Sequence, residues 1–391
     1  MDKIDELLTR GVANIIPGKE ELKKLLTSGK KLNIYLGIDP TATKIHLGHA
    51  VSLRKLNEFA KLEHNVTLVI GDFTALIGDT SDKDTERPVL TPVEIQENFK
   101  TYKKQAEKII DFSKVTIRNN SEWLSKLSFE EIVRLCQKFS VGDFVSRELI
   151  KKRLTEGKRV GLHEFLYPIM QGYDSLTLDT DIQLGGTDQT FNMQAGRTLI
   201  KELKQKESFV LATEFLMGTD GRKMSKSWGN AIWLNDAPND MYAKVMAIND
   251  DLIDSYFTLG TNLDLKTIEN LKSGKNPMEV KKELAKIIVT ELHNAEAAKR
   301  AQENFEQTVQ GEKLPDDIPV FQISKMDIQD PIDLLTQSKL AESRSEAKRL
   351  IEQNGVTIDD KVIKPNEQIA LQENSIIRVG KRKFVKIKIT G

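Results

Sequence analysis

The stretch Leu32-Asn33-Ile34-Tyr35-Leu36-Gly37-Ile38-Asp39-Pro40, followed shortly by His46-Leu47-Gly48-His49-Ala50-Val51, decides the fold. Leu32 to Ile38 is a short apolar run closed by Asp-Pro, which reads as a strand. From His46 to Leu62 the apolar residues recur at helical spacing, so the chain passes from strand through a turn into a helix. The pattern repeats downstream. Strands are predicted at Val66 to Gly71, Val115 to Arg118, Asp181 to Leu184 and Phe209 to Ala212. Helices are predicted at Glu94 to Phe112, Phe129 to Phe139 and Asp188 to Leu203. Such alternation predicts an α/β fold, a parallel sheet covered by helices. Ligands of these folds bind beyond the carboxyl ends of the strands. Gly37-Ile38-Asp39-Pro40 and Gly185-Gly186-Thr187-Asp188 both fall at such ends.

From about Asn239 to Gln310 the strand signal gives way to amphipathic helices. Glu312 to Pro319, with Pro315, Asp316, Asp317 and Pro319, reads as a linker, and Phe321 to Gly391 as a separate small unit. In that unit Ser343-Arg344-Ser345-Glu346 predicts a capping box with Ser343 as N-cap, and Gly355 a left-handed stop. Ala347, Leu350 and Ile351 share an apolar face, Arg344 and Lys348 a basic one. Strands are expected near Val356 to Ile358 and Ile376 to Val379. Between Arg378 and Lys388 lie Lys381, Arg382, Lys383 and Lys386 and no acid. A basic helix beside a basic strand pair suits an RNA backbone; the plain alternative is a solvated face and a solubilising tail.

The 391 residues leave room for two or three domains. Lys and Arg number 58, as do Asp and Glu, so any polyanion-binding surface must be local rather than a product of net charge. One cysteine, Cys136, excludes an internal disulfide and a Cys-rich zinc site, as expected of a reducing cytoplasm. Met1-Asp2-Lys3-Ile4 lacks the order of a signal peptide, and no apolar run could span a bilayer. A cytoplasmic protein without membrane association is the expectation.

Far from the histidine turn lies Lys223-Met224-Ser225-Lys226-Ser227, in a Gly-flanked basic loop from Gly218 to Gly229. A strand-to-helix turn and a distant lysine loop together suit a site that holds a nucleoside triphosphate and expels pyrophosphate. Free N–H groups and the helix dipole at a helix start stabilise phosphate. Gly48 allows close approach, and His46 and His49 share one face from which imidazoles can donate to phosphate oxygens. Lys223 and Lys226 can close over the β- and γ-phosphates. The bland readings are core histidines and a basic surface loop. A zinc pair lacks further Cys or His ligands to complete it.

The helix expected from His163 to Leu176 carries Tyr167, Gln171 and Asp174 as one polar stripe among Phe165, Leu166, Ile169 and Met170. With Tyr35 it could line a pocket for a phenol, which needs both a donor and an acceptor. An exposed helix face is the alternative.

The two motifs resemble the HIGH and KMSKS signatures of class I aminoacyl-tRNA synthetases, the second letter for letter and the first with Leu47 for Ile. The resemblance narrows to the tyrosyl-tRNA synthetases over nearly the whole chain. It includes Tyr35-Leu36-Gly37-Ile38-Asp39-Pro40-Thr41, Leu76-Ile77-Gly78-Asp79, Tyr167-Pro168-Ile169-Met170-Gln171-Gly172-Tyr173-Asp174 and Gln183-Leu184-Gly185-Gly186-Thr187-Asp188-Gln189. It departs at Leu36, where some members carry a polar residue, and at Gly78 to Lys83, which lacks their Pro and second Gly.

The resemblance implies a Rossmann-like parallel-sheet catalytic domain with a dimerisation insertion (residues 1–230). An α-helical anticodon-binding domain (231–312), a linker (313–324) and a small α+β RNA-binding domain of the alpha-L type (325–391) would follow. It implies that Tyr35 and Asp174 bind the phenol of L-tyrosine, that Asp79, Tyr167 and Gln171 hold its ammonium, and that Gln189 orients its carboxylate. Gly37, Asp39, Gly48, Gly186 and Asp188 would form the ATP site with His46, His49 and Lys226. Asp188 would take the ribose, while Thr41 and His46 grip the γ-phosphate. Lys83, Arg87, Lys223 and Lys226 would follow the pyrophosphate. Arg344, Lys348, Lys381, Arg382 and Lys383 would contact RNA. ATP would bring Mg²⁺, with no metal or organic cofactor bound by the protein itself. The partners implied are tRNA(Tyr) and a second copy of the chain, docked through Phe129 to Gly161. Three rivals remain on sequence: an RNA-binding module of synthetase descent, a small-molecule adenylyltransferase, and the tryptophan enzyme of the same subclass. An indole N–H, however, needs only an acceptor.

Overall fold

The computed structural model describes residues 2–40, 43–78, 91–225, 228–307, 318–324, 330–359, 361–364, 369, 371–380 and 383–390. The five strands expected between Leu32 and Ala212 are all present: β2 (Asn33–Ile38), β3 (Asn65–Ile70), β4 (Val115–Asn119), β5 (Ile182–Gly186) and β6 (Phe209–Thr213). They are parallel, with Ile34 opposite Val66 on one side and Ile182 on the other. A strand that sequence patterning missed, β1 (Val12–Ile16), pairs antiparallel with β6 at the edge. Its half-exposed residues and the irregular register between Val12 and Asn14 blur the alternation that would have marked it.

The sheet order is β1-β6-β5-β2-β3-β4. From β2 the chain winds outward to β4, then returns to β5 on the other side of β2. The carboxyl ends of β2 and β5 therefore flank a topological switch point, where open α/β sheets form their ligand crevice.

The helix that follows β2 runs Leu47–Lys61. The expected Glu94 helix is Pro92–Ala106, opened by a reciprocal cap between Thr91 and Glu94. It ends earlier than its apolar pattern because Ile109 and Ile110 are buried from a turn rather than from a helix. The Phe129 helix stops at Cys136. The helix expected from Asp188 begins at Thr190, after a short 3₁₀ turn over Thr187–Gln189. That delay leaves Asp188 and Gln189 at the mouth of the crevice instead of inside a helix.

The stripe helix is Leu162–Thr177. Its start is fixed by a buried, bidentate pair: Arg153 donates to the Glu164 carboxylate at 2.6 and 3.0 Å, and the same carboxylate accepts the Gly161 N–H at 2.7 Å. A buried ion pair of this kind earns its place only when its remaining atoms are bonded, as here.

Between 238 and 305 the named elements are helical, among them Ile253–Gly260 and Pro277–Leu292. The chain forms two compact units, Met1–Ala237 with Lys244–Asn294, and Pro238–Ala243 with Ala295–Gly391. No helix among the described residues is long and apolar enough to cross a membrane.

The second unit holds a sheet of β7 (Val320–Ser324), β8 (Val356–Ile358), β9 (Lys361–Val362), β10 (Ile376–Val379) and β11 (Lys383–Thr390), in the order β7-β11-β10-β8-β9. The helix Arg344–Glu352 buries Ala347 and Ile351 against it, with Leu350 packed alongside. Two details differ from the sequence reading. Asn354, not Gly355, takes the left-handed conformation (φ 54°), since asparagine tolerates it and Gly355 is left to bond the Leu350 carbonyl at 2.9 Å. Ser343 caps Glu346 as expected, but the Glu346 carboxylate reaches one residue further back, to the Glu342 N–H at 2.7 Å.

Candidate active site

A cavity of about 300 Å³ opens at the switch point. Gly37 and Asp39 beyond β2, Gly186, Asp188 and Gln189 beyond β5, and His46, Gly48 and His49 of the histidine turn all line it. So do Tyr167, Gln171 and Asp174 from the stripe and Lys223 from the lysine loop. The fold thus gathers both motifs and the stripe into one space. Tyr35 is not among the lining residues. It is buried, and its hydroxyl lies 3.3 Å from the Gln171 carbonyl and 3.5 Å from Gln183 Oε1. Thr41, Asp79, Lys83, Arg87 and Lys226, and with them Lys381 and Arg382, lie outside the described residues.

At the closed end, Asp174 is almost wholly buried. Trp123 Nε1 donates to one carboxylate oxygen at 2.7 Å and Asn120 Nδ2 to the other at 3.2 Å. Burial pushes the carboxyl up to about 8; the two donors oppose the rise, while Asp39 and Asp72 add to it. Between the ordinary carboxyl range and about pH 8 the folded chain keeps a proton here that the unfolded chain has released. Stability therefore falls as pH rises through that window, because only the unfolded chain gains by releasing the proton there.

A chain of hydrogen bonds continues from Asn120. The same Nδ2 donates to Thr74 Oγ1 at 3.0 Å, Thr74 donates to Asp39 Oδ1 at 2.7 Å, and Tyr167 donates to Asp39 Oδ2 at 2.8 Å. Gly71 is required beneath this chain, because a Cβ there would collide with the Asp39 carboxylate and the Thr74 hydroxyl. Thr74, Asn120 and Trp123 were not singled out from the sequence. Asn120 and Trp123 directly follow β4, at the carboxyl edge that such sheets use for binding, and that position was the available signal.

At the other end the two imidazoles stack at 3.7 Å and 15°. His46 Nδ1 accepts the His49 N–H at 3.3 Å, and His49 Nδ1 accepts the His46 N–H at 3.4 Å. Each ring therefore carries its proton on Nε2 while neutral. Burial first, then His49 and Lys223, hold His46 down to about 2, so it is uncharged at neutral pH. Gly48 has a local reason beyond ligand approach: a Cβ there would sit 3.0 Å from His46 Nδ1 and force the ring away. The Leu47 N–H is taken by the Ile232 carbonyl at 2.9 Å. With the His49 N–H also used, donation to a phosphate falls to the imidazole Nε2–H groups more than the sequence reading implied.

Lys223 approaches Asp188 at 3.2 Å and lies 4.8 Å over the Phe215 ring. Its loop is shaped by Asn230, which sequence reading passed over. Asn230 Oδ1 accepts from the Ser225 N–H at 2.9 Å, and its Nδ2 donates to Asp220 at 2.7 Å and to the Lys223 carbonyl at 3.2 Å. Gln189 accepts from Asn192 at 3.0 Å.

In the second unit Arg344 pairs with Asp333 and, at 3.6 Å, with Asp330; Lys348 pairs with Glu352 at 3.9 Å. Lys383 Nζ donates to the Leu340 carbonyl at 3.1 Å. The basic face is therefore partly neutralised by its own acids.

Residues 27–310 match the family model described as tRNA synthetases class I (W and Y), and residues 333–373 match the S4 domain. Along 98% of its length the chain is 43% identical to the tyrosine–tRNA ligases of Carboxydothermus hydrogenoformans and Thermotoga maritima, covering 97% and 96% of those proteins. The chain belongs to the tyrosine–tRNA ligases. As a member of that family it is an aminoacyl-tRNA ligase of class I. Solved tyrosyl-tRNA synthetases have the same fold. A C-terminally truncated mitochondrial enzyme of Coccidioides posadasii superposes with a TM-score of 0.64 at 23% identity, over 78% of this chain and 91% of that one. The Archaeoglobus fulgidus enzyme complexed with L-tyrosine gives 0.59 at 23% identity, over 77% and 100%.

For a tyrosine ligase the Trp123–Asp174 bond makes a direct prediction. Trp123→Phe keeps an aromatic ring but removes the donor that fixes the Asp174 carboxyl, leaving one buried oxygen without its partner. KM for tyrosine should rise about tenfold, with phenylalanine activation nearly unchanged. Steady-state activation assays with the two amino acids check this; an unaltered tyrosine-to-phenylalanine ratio contradicts it.

Proposed function

We propose that the cavity activates L-tyrosine with ATP, brought in as its magnesium complex, and then passes the tyrosyl group to tRNA(Tyr) in the cytoplasm. The observation that carries this is the polarity of one continuous space. A dehydrated carboxyl group ends it on one side, and two stacked imidazoles, that of His46 uncharged, and a lysine on the other. Tyrosine fits with its phenol toward Asp174 and Tyr35, and its ammonium toward Asp79, Tyr167 and Gln171. Its carboxylate lies near Gln189. ATP lies along Gly37, Asp39, Gly48 and Gly186, with its ribose on Asp188 and its phosphates toward Thr41, His46 and His49.

The tyrosine carboxylate is ionised at neutral pH, so it attacks the α-phosphorus without a general base. A carboxylate oxygen–phosphorus bond forms, the bond to the bridging oxygen breaks, and pyrophosphate leaves with the electron pair. Charge grows on the leaving phosphates, where Nε2–H of His46 and His49 donate and Lys223 and Lys226, with Lys83 and Arg87, close in. His46, held uncharged by burial, donates without the cost of charging its ring. In the second step the terminal ribose hydroxyl of the tRNA attacks the adenylate carbonyl and AMP leaves. We assign tRNA recognition to the helical segment 231–312 and to the S4 unit, where Arg344, Lys348, Lys381, Arg382 and Lys383 offer the cations.

Amino-acid-dependent ATP–pyrophosphate exchange tests this. Exchange with tyrosine, and none with phenylalanine or tryptophan, is expected. Exchange with tryptophan would contradict the pocket, and no exchange from folded protein would leave an RNA-binding role.

We also propose a homodimer through the insertion. Phe129, Val141 and Leu154 are 82%, 75% and 48% exposed, an unusual load of bare apolar surface for one segment. Sedimentation velocity should give twice the chain mass, and Phe129→Glu should shift it to the monomer. A monomeric wild-type protein contradicts the assignment.

A further inference from the structure

The lysine loop is fastened at its base. The Met217 carbonyl accepts a hydrogen bond from the Tyr256 hydroxyl at 2.9 Å, and Met217 bridges across the loop to Lys223. The Gly218 N–H donates to the Arg222 carbonyl at 2.7 Å and the Thr219 N–H to the Asn230 carbonyl at 3.0 Å, so the base moves as one piece. Tyr256 is fully buried on the helix Ile253–Gly260. Burial and the Asp220 carboxylate raise its phenol far above the ordinary range, so it remains a donor at every working pH.

That helix is pinned in turn to the histidine helix. Arg54, on Leu47–Lys61, donates to the Gly260 carbonyl at 2.9 Å and pairs with Glu291 at 2.9 Å. Arg10 donates to the Thr258 and Thr261 carbonyls at 2.8 and 2.7 Å. Both guanidiniums are buried at the carbonyl end of the helix, where a cation is electrostatically favoured. Glu291 also accepts the Asn262 N–H at 2.8 Å. One short helix thus touches both halves of the catalytic apparatus: Tyr256 on the lysine-loop side, Gly260 on the histidine side.

We propose that Tyr256 is a positioning residue for Lys223, setting the height of the lysine loop above the cavity through the Met217 carbonyl. The helix Ile253–Gly260 serves as the strut that spaces the loop from the histidine helix. The inference rests on the reading that Lys223 acts on the departing pyrophosphate. Because the ring packs and the hydroxyl positions, Tyr256→Phe separates the two roles.

The test is pre-steady-state adenylate formation by the full-length enzyme as wild type, Tyr256→Phe, Lys223→Ala and the double variant. Tyr256→Phe should slow the step about tenfold, as a displaced catalytic group does. Its dissociation constant for tyrosine should be unchanged and its thermal midpoint within a few degrees of wild type. Lys223→Ala should slow the step about a hundredfold. The double variant should be no slower than Lys223→Ala by more than about twofold, because a lysine that is gone cannot be misplaced. Multiplying losses in the double variant overturn the proposal, as does a wild-type rate or lost tyrosine binding in Tyr256→Phe. A wild-type rate in Lys223→Ala overturns both this inference and the role assigned to the loop.

Discussion

Asp174 is a carboxyl group removed from water, and much of the site follows from keeping it there. Such a group is tolerated only if its oxygens are bonded. Trp123 and Asn120 supply those bonds from the segment after β4. Asn120 must then also hold Thr74, Thr74 must hold Asp39, and Tyr167 must close the series from the stripe helix. The chain links residues from four separate parts of the sequence, and Gly71 is the space that lets it close. A site satisfied in this way admits a ligand only if the ligand replaces what it displaces. On the proposed placement of the substrate, that is the physical basis for reading a phenol rather than a phenyl ring.

The opposite end of the cavity follows another rule. There the requirement is for donors that do not bring a buried charge of their own. The stacked imidazoles suit it, since each Nδ1 is occupied by a backbone N–H and burial keeps His46 uncharged, which leaves its proton on Nε2. Positive charge arrives on a separate loop whose shape Asn230 maintains from within. Its base rests on Tyr256. The two ends of one crevice thus differ in chemistry, a dehydrated carboxyl at one and stacked imidazoles with a lysine at the other.

Much of this was legible in the sequence. The parallel strands read directly because they are continuous apolar runs, and the two motifs marked their ends. The stripe at Tyr167, Gln171 and Asp174 read correctly as one helical face. What sequence patterning could not supply were contacts made across the fold. Trp123 looks like any core tryptophan until β4 brings it beside Asp174. Asn230 looks like a loop residue until the loop closes around it. β1 escapes the pattern because an irregular edge strand has little periodicity, and the left-handed stop read at Gly355, on glycine's general preference for it, falls instead on Asn354. Tyr35 does not line the cavity, and its hydroxyl lies near the Gln171 carbonyl, a contact made across the fold that the sequence alone does not show.

The most direct test of the central claim is the ratio of kcat/KM for tyrosine over phenylalanine in pyrophosphate exchange, measured for wild type and Asp174→Ala. Sites of this family are known to reach roughly 10⁵-fold discrimination because they are built for a hydroxyl. If the dehydrated carboxyl carries the selectivity, Asp174→Ala should lose at least about a hundredfold of that ratio, chiefly through poorer use of tyrosine. A variant that folds, turns over and keeps the wild-type ratio would mean that the phenol is read elsewhere.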